Sequence, residues 1–182
     1  GDFDFWVLHV GYDGNIIWQK CFGGDYSEVA NKIIKLRDNN FIIAGISYSD
    51  NGDLDNNNGD FDCWIVKIDI EGNIIWQRNY GGLENDGATS AVEMENGDLI
   101  IAGYTESGDG DILEMFGHRN MWILKLDKNG NLIQDNIYGR SEGELVKSII
   151  KTSEKEIVIG GSYYYVVKLD LFGDINKGWI FG

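Results

Sequence analysis

Asp53, Asp55 and Asn57 stand at alternate positions of a loop that reads Ser49-Asp50-Asn51-Gly52-Asp53-Leu54-Asp55-Asn56-Asn57-Asn58-Gly59-Asp60. Hard cations such as Ca²⁺ take about six to eight oxygen ligands, and Asp and Asn at every second position of a glycine-containing loop supply them. Asp53, Asp55 and Asn57 match the first three ligand positions of a calcium loop, and Asp60 adds a fourth oxygen donor. The match then breaks: the glycine is displaced by one residue and the twelfth position carries no acid. The loop is therefore a candidate calcium site, set against the plainer reading that Asp, Asn and Gly here make turns. A second polar loop contains Glu106, Asp109, Asp111 and Glu114. A further acid, Glu28, Asp86 or Glu144, recurs a few residues after Gly23, Gly81 and Gly139. Asp50, Glu28, Asp86, Glu144, Asp109 and Asp111 form the candidate ligand-facing set.

Other chemistry finds less support. A hydrolytic triad needs a histidine beside a nucleophile. His9 lies in a strand pattern and His118 in a variable loop, and neither has a recognisable partner. Paired carboxylates can hydrolyse glycosides, but among 30 acidic residues pairs arise by chance. No catalytic residue is assigned. Gly23-Gly24 and Gly81-Gly82 follow strands but open no helix, so the helix N-terminus that cradles phosphate is missing. They read instead as left-handed turns.

The formal net charge of −15 disfavours nucleic acids and anionic membrane surfaces, both of which require positive charge. Cations, glycans and proteins remain as partners. No apolar run is long enough for a membrane helix. Cys21 and Cys63 fall at non-equivalent positions and fit neither a disulfide framework nor a zinc site. They read as two small apolar fillers, with a Cys21–Cys63 bridge as the alternative. Proline is absent, so Gly, Asn and Asp must make the turns.

The elements that hold these residues repeat. Trp6, Trp64 and Trp122 lie 58 residues apart, as do Gly14, Gly72 and Gly130, and Gly23, Gly81 and Gly139. A fourth copy follows after 43 residues, Lys125 being answered by Lys168 and Gly130 by Gly173. Self-similarity at such a period marks a repeat architecture. Within one unit the sequence predicts four strands: 88–94, 99–104, 122–127 and 132–138. A two-residue hairpin turn at Asn96-Gly97 joins the first two, and the polar loop 106–119 joins the second and third. In the third, Trp122, Leu124 and Leu126 share a face. Four short strands with tight turns and no helical period mean all-β, four-stranded antiparallel sheets. The 15-residue shortfall of the last copy falls wholly in its second loop: Ala44 to Lys67 and Ala102 to Lys125 each span 23 residues, but Gly160 to Lys168 only 8.

The strand order resembles a β-propeller blade, with strands a to d running from the channel outward. On that register residues 1–24 form an outer half-blade, 25–82 and 83–140 two blades, and 141–182 a blade with a short b–c loop, about 3.5 blades of a partial ring. The repeat itself is similar to a family of bacterial propeller repeats, matched here by Asp62, Trp64, Lys67, Asp69, Gly72, Asn73, Trp76, Tyr80, Gly81, Gly82, Asp86, Ala88, Ile101, Ala102, Gly103, Tyr104 and Ser107. The resemblance implies an exported, often surface-attached bacterial protein, with the remaining blades supplied by flanking sequence. In a propeller the recurrent Trp fills the wedge between blades, the Ala-Gly of strand b leaves room for the neighbouring blade, and Lys67 and Lys125 pair with a carboxylate such as Asp69 or Asp127. The d–a turns and b–c loops emerge on one rim. There Glu28, Asp86 and Glu144 either accept backbone N–H bonds or point into the channel mouth. The expected function is a non-enzymatic binding scaffold whose acidic loop face contacts a protein, a glycan or a cation. The alternative is a carbohydrate-active or lectin propeller with sites between blades.

Overall fold

A computed structural model describes residues 2–55, 57–112, 115, 117–139, 143, 145–152, 156–162 and, as backbone only, 166–169 and 179–181. The described residues are all-β and contain no helix. In chain order the strands are β1 (Phe5–Val10), β2 (Ile16–Phe22), β3 (Glu28–Lys35), β4 (Phe41–Ser47), β5 (Asp62–Ile68), β6 (Ile74–Tyr80), β7 (Asp86–Glu93), β8 (Leu99–Thr105), β9 (Asn120–Leu126), β10 (Leu132–Tyr138), β11 (Val146–Lys151), β12 (Ile157–Gly161), β13 (Val166–Leu169) and β14 (Trp179–Phe181). β3 to β6, β7 to β10 and β11 to β14 each form a four-stranded antiparallel sheet in simple up-and-down order, and among the described residues β1 pairs with β2 alone. The predicted fourth strand, 132–138, is β10 residue for residue. The Asn96-Gly97 turn is one residue longer than predicted: residues 95–97 are spanned by the Met94 N–H to Asp98 O bond of 2.8 Å.

Consecutive sheets are glued by the alternation of side chains along their third strands. Trp64, Val66 and Ile68 of β5 join Phe5, Val7 and Phe22 in one cluster, while Cys63 and Ile65 on the other face join Ala88, Ile101, Trp122 and Leu124 of the next sheet. The Trp64 ring lies 4.5 Å from that of Phe5. Met121 and Ile123 repeat the pattern one sheet on, against Val146, Ile149 and Ile159. The period-two pattern is thus buried on both faces, the arrangement that apolar strands require. Trp64 and Trp122 are buried as expected, but Trp6 is 62% exposed because no sheet covers its face. Indoles also tie outer strands across sheets at the repeat interval: Trp18 Nε1 donates to Ile70 O (2.9 Å) and Trp76 Nε1 to Lys128 O (3.3 Å).

Three expectations need correction. The glycine of Ile-Ala-Gly makes room first for its own sheet: a Cβ at Gly45 would strike Val29 O, and also the Phe5 ring of the neighbouring sheet, and one at Gly103 would strike Gly87 O. Each carbonyl belongs to the first strand of the sheet, which carries a bulge between Ala30 and Lys32 and between Ala88 and Ser90. Ala44 does meet the neighbouring sheet, at Ala88 and Ala91. The carboxylate partner of Lys67 is Asp38, at 2.8 Å, and that of Lys125 is Asp98, at 3.9 Å. Asp69 and Asp127 instead accept bonds from Asn73 and Asn131 and close their own turns, which holds both carboxyls below the usual range. Both cysteines are free; Cys63 is the buried filler expected, whereas Cys21 is exposed.

Candidate functional site

The candidate acids converge on the edge where the β4–β5 and β8–β9 loops meet the β2–β3 and β6–β7 turns. Gly23 N–H donates to Asp53 Oδ2 (3.1 Å), Asp25 N–H to Asn51 Oδ1 (3.0 Å) and Tyr26 N–H to Ser49 Oγ (2.9 Å). One repeat later, Gly81 N–H donates to Asp111 Oδ2 (3.1 Å), Leu83 N–H to Asp109 Oδ1 (2.8 Å) and Glu84 N–H to Ser107 Oγ (3.0 Å). The backbone returns a bond each time, from Asp53 N–H to Gly23 O and from Asp111 N–H to Gly81 O. Each long loop is therefore clamped to the preceding turn by three side-chain oxygens. The signal was present in the sequence as Ser-x-Asn/Asp-Gly-Asp at Ser49–Asp53 and Ser107–Asp111. The glycine inside it is required twice over: φ is +76° at Gly52 and +65° at Gly110, and a Cβ would strike Gly23 O or Gly81 O.

Glu28 and Asp86 take the first of the two roles open to them. Gly24 N–H donates to Glu28 Oε2 (3.0 Å) and Ser47 Oγ to Glu28 Oε1 (2.8 Å). Gly82 N–H and Ser107 Oγ both donate to Asp86 Oδ2 at 2.7 Å. Both carboxylates are buried. Gly23, Gly24, Gly81 and Gly82 do not adopt left-handed φ, contrary to expectation. They are glycines because the clamp leaves no room: a Cβ would meet Glu28 at Gly23, Asn51 at Gly24, Asp62 at Gly81 and Asp109 at Gly82. Glu144 lies outside the described residues.

Asp62 is the strained member of this network. It is fully buried, its Oδ2 accepts Asn58 N–H (2.9 Å), and its Oδ1 has no hydrogen-bond partner among the described residues. Burial, with the neighbouring Asp86 and Asp111 carboxylates adding to it, pushes its pKa up to about 7. Burial also raises Asp86 against the bonds it accepts.

The residues of the calcium pattern take bonds within the chain. Asp53 is spent on Gly23, Asp55 Oδ2 accepts Gln77 Nε2 (2.8 Å), and Asn57 Nδ2 donates to Ser47 O and to Asp60 O. Among the described residues no group of three or more His, Cys, Asp or Glu side chains is placed to hold a metal ion. Asp50 is exposed and accepts a bond from Asn51 Nδ2 at 3.3 Å.

On this frame sit three positions that sequence reasoning passed over. Tyr26, Tyr48 and Phe61 form an aromatic ledge, with ring centroids 5.4 Å and 5.2 Å apart in sequence along it. Tyr26 is 51% and Tyr48 41% exposed. Their counterparts 58 residues on are Glu84, Glu106 and Arg119. There Arg119 forms an ion pair with Glu106 and lies 4.7 Å from the centre of the Tyr104 ring. The signal was the reverse of the one followed: residues that fail to repeat at an otherwise repeating edge. On the opposite edge, a cavity of about 260 Å³ lies between successive sheets, lined in part by Arg37, Asp38, Lys67, Glu93 and Lys128.

No family model matches the chain. An uncharacterized WD repeat-containing protein of Acanthamoeba polyphaga mimivirus is 29% identical over 113 residues, which cover 56% of this chain and 8% of that protein. A crystal structure of a protein of unknown function from Bacteroides caccae superposes with a TM-score of 0.57 at 12% identity, covering 97% of this chain and 53% of that one. The chain thus spans about half of the structure it matches and a small part of the sequence relative. The structural likeness concerns fold alone.

Proposed function

We propose that the chain is a β-propeller segment of an exported bacterial protein and serves as a non-enzymatic binding scaffold, with the clamped loop edge as its contact face. Propeller geometry is supported by the up-and-down four-stranded sheets packed face to face and by the WD repeat-containing relative. One observation carries the binding reading. The clamp repeats atom for atom in two loops, while the three positions it displays change from Tyr26-Tyr48-Phe61 to Glu84-Glu106-Arg119. A constant frame with altered display residues is how loop-based recognition is built. An exposed pair of tyrosines beside Asp25 and Asp50 suits a partner with an apolar face and hydrogen-bond donors, a glycan or a protein side-chain cluster. A cation is disfavoured as the partner, since the loop oxygens already serve backbone N–H groups.

The alternative, a carbohydrate-active or lectin propeller with sites between blades, draws on the inter-sheet cavity at the opposite edge. A glycan array, a surface-protein pull-down and a reducing-sugar release assay separate the two. The scaffold reading expects binding without turnover, lost in Tyr26→Ala and Tyr48→Ala. Release of reducing sugar, or binding lost in Lys67→Ala but not Tyr48→Ala, would favour the alternative.

A further inference from the structure

Among the described residues the inner edge of β1, with the groove beside it, has no strand partner. β5 and β9 are each paired on both sides, whereas among the described residues β1 is paired only with β2. Its face shows the same vacancy: Trp6 is 62%, Leu8 37% and Val10 48% exposed, against 0%, 0% and 1% for Trp64, Val66 and Ile68. Between β1 and β3 lies a cavity of about 260 Å³ lined by the polar Asn31 and Lys32 and by Trp6, Val7, Leu8, Ala30, Ile33 and Ile43. The counterparts of the last three, 58 residues on, are Ala88, Ala91 and Ile101. Those residues are buried in one cluster with Ile42 and Ala44 of β4, the strand that pairs with β5. The cavity therefore has the shape left by one strand of known composition.

We infer that this edge and groove bind a β-hairpin of the chain's own inner-strand chemistry, in a register that the internal repeat dictates. On β5 the pairs are Ile42 with Lys67, Ile43 with Val66, Ala44 with Ile65 and Gly45 with Trp64. On β9 they are Ile100 with Lys125, Ile101 with Leu124, Ala102 with Ile123 and Gly103 with Trp122. Carried back one repeat, the incoming strand reads apolar-apolar-Ala-Gly opposite His9, Leu8, Val7 and Trp6. Its alanine and the apolar residue two before it fill the cavity over Ala30, Ile33 and Ile43. Its glycine faces Trp6, and a second strand covers its other edge. Main-chain bonds to an open edge supply affinity, and alternate side chains in a groove supply selectivity. A charged residue in place of the alanine would be set against Val7, Ala30, Ile33 and Ile43, and a β-branched residue in place of the glycine would meet the carbonyl of the adjoining strand.

The test places a copy of residues 28–61 directly ahead of Asp4, which reproduces the spacing found before Asp62. Amide exchange across β1 is then expected to slow by at least about tenfold, as edge amides gain strand partners, and Trp6 emission to shift to the blue. The same extension carrying Ala44→Lys and Gly45→Val in the added copy is expected to leave both as in the parent. A second arm offers a peptide of residues 28–47 to the unmodified protein, with the doubly substituted peptide as control. Protection of β1 by the native segment alone, in either arm, supports the inference. Absence of β1 protection in both arms, or equal protection by the substituted segment, overturns it.

Discussion

Asp62 shows how much one oxygen atom can ask of a fold. Its folded pKa of about 7 lies above the ordinary 3.8, so folding takes up a proton wherever the pH lies between the two. Stability from this group is greatest below about pH 4, falls as the pH rises towards 7, and levels off above, by a few kcal/mol at about 1.4 kcal/mol per unit. The next repeat places Asn120 at the same position. Asp62→Asn is accordingly expected to raise the urea midpoint much more at pH 8 than at pH 4.5; an equal effect at both values would contradict the assignment. The clamp gives a second contrast. Asp111→Ala removes the acceptor of Gly81 N–H and should cost about 1–2 kcal/mol, whereas exposed Asp50→Ala should stay within about 0.5 kcal/mol. Equal losses in denaturant melts would mean that the clamp contributes nothing.

At the scale of the element, the glycine of the second strand is the hinge of the design. Gly103→Ala drives a methyl into Gly87 O, a backbone atom that cannot turn aside, and Gly45→Ala does the same at Val29 O. Either should cost several kcal/mol, at the far end of single-site effects, and a purified Gly103→Ala protein melting within a degree of the parent would refute the packing described. The strands were legible because alternation and period speak directly about burial: Trp122, Leu124 and Leu126 do share one cluster, and 132–138 is a strand. The loop was less legible for a physical reason. An Asp followed at alternate positions by Asp and Asn satisfies a cation and a set of backbone N–H groups equally well, and only three-dimensional proximity shows that Asp53 accepts Gly23 N–H. The repeat of Ser-x-Asn/Asp-Gly-Asp was the available clue, since a clamp must recur with the turn it holds. The partners of Lys67 and Lys125 were missed likewise, because Asp38 and Asp98 sit in turns that only the sheet register brings near.

For the whole molecule, a net charge of −15 on 182 residues opposes compaction. Added salt should therefore raise the melting temperature by screening, and calcium at matched ionic strength should add nothing further. A calcium-specific rise would establish a cation site, since a ligand bound only by the folded state must stabilise it. The larger picture is a row of sheets whose long loops are held rigid by their own acids, so that a few unrepeated side chains are displayed. Hydrogen exchange at the Gly23, Gly24, Gly81 and Gly82 amides tests this most directly. These lie outside the strands, yet protection comparable to strand amides is expected, with Asp111→Ala releasing Gly81 and sparing Gly23. Exchange of all four at the rate of an open loop in the parent protein would contradict it.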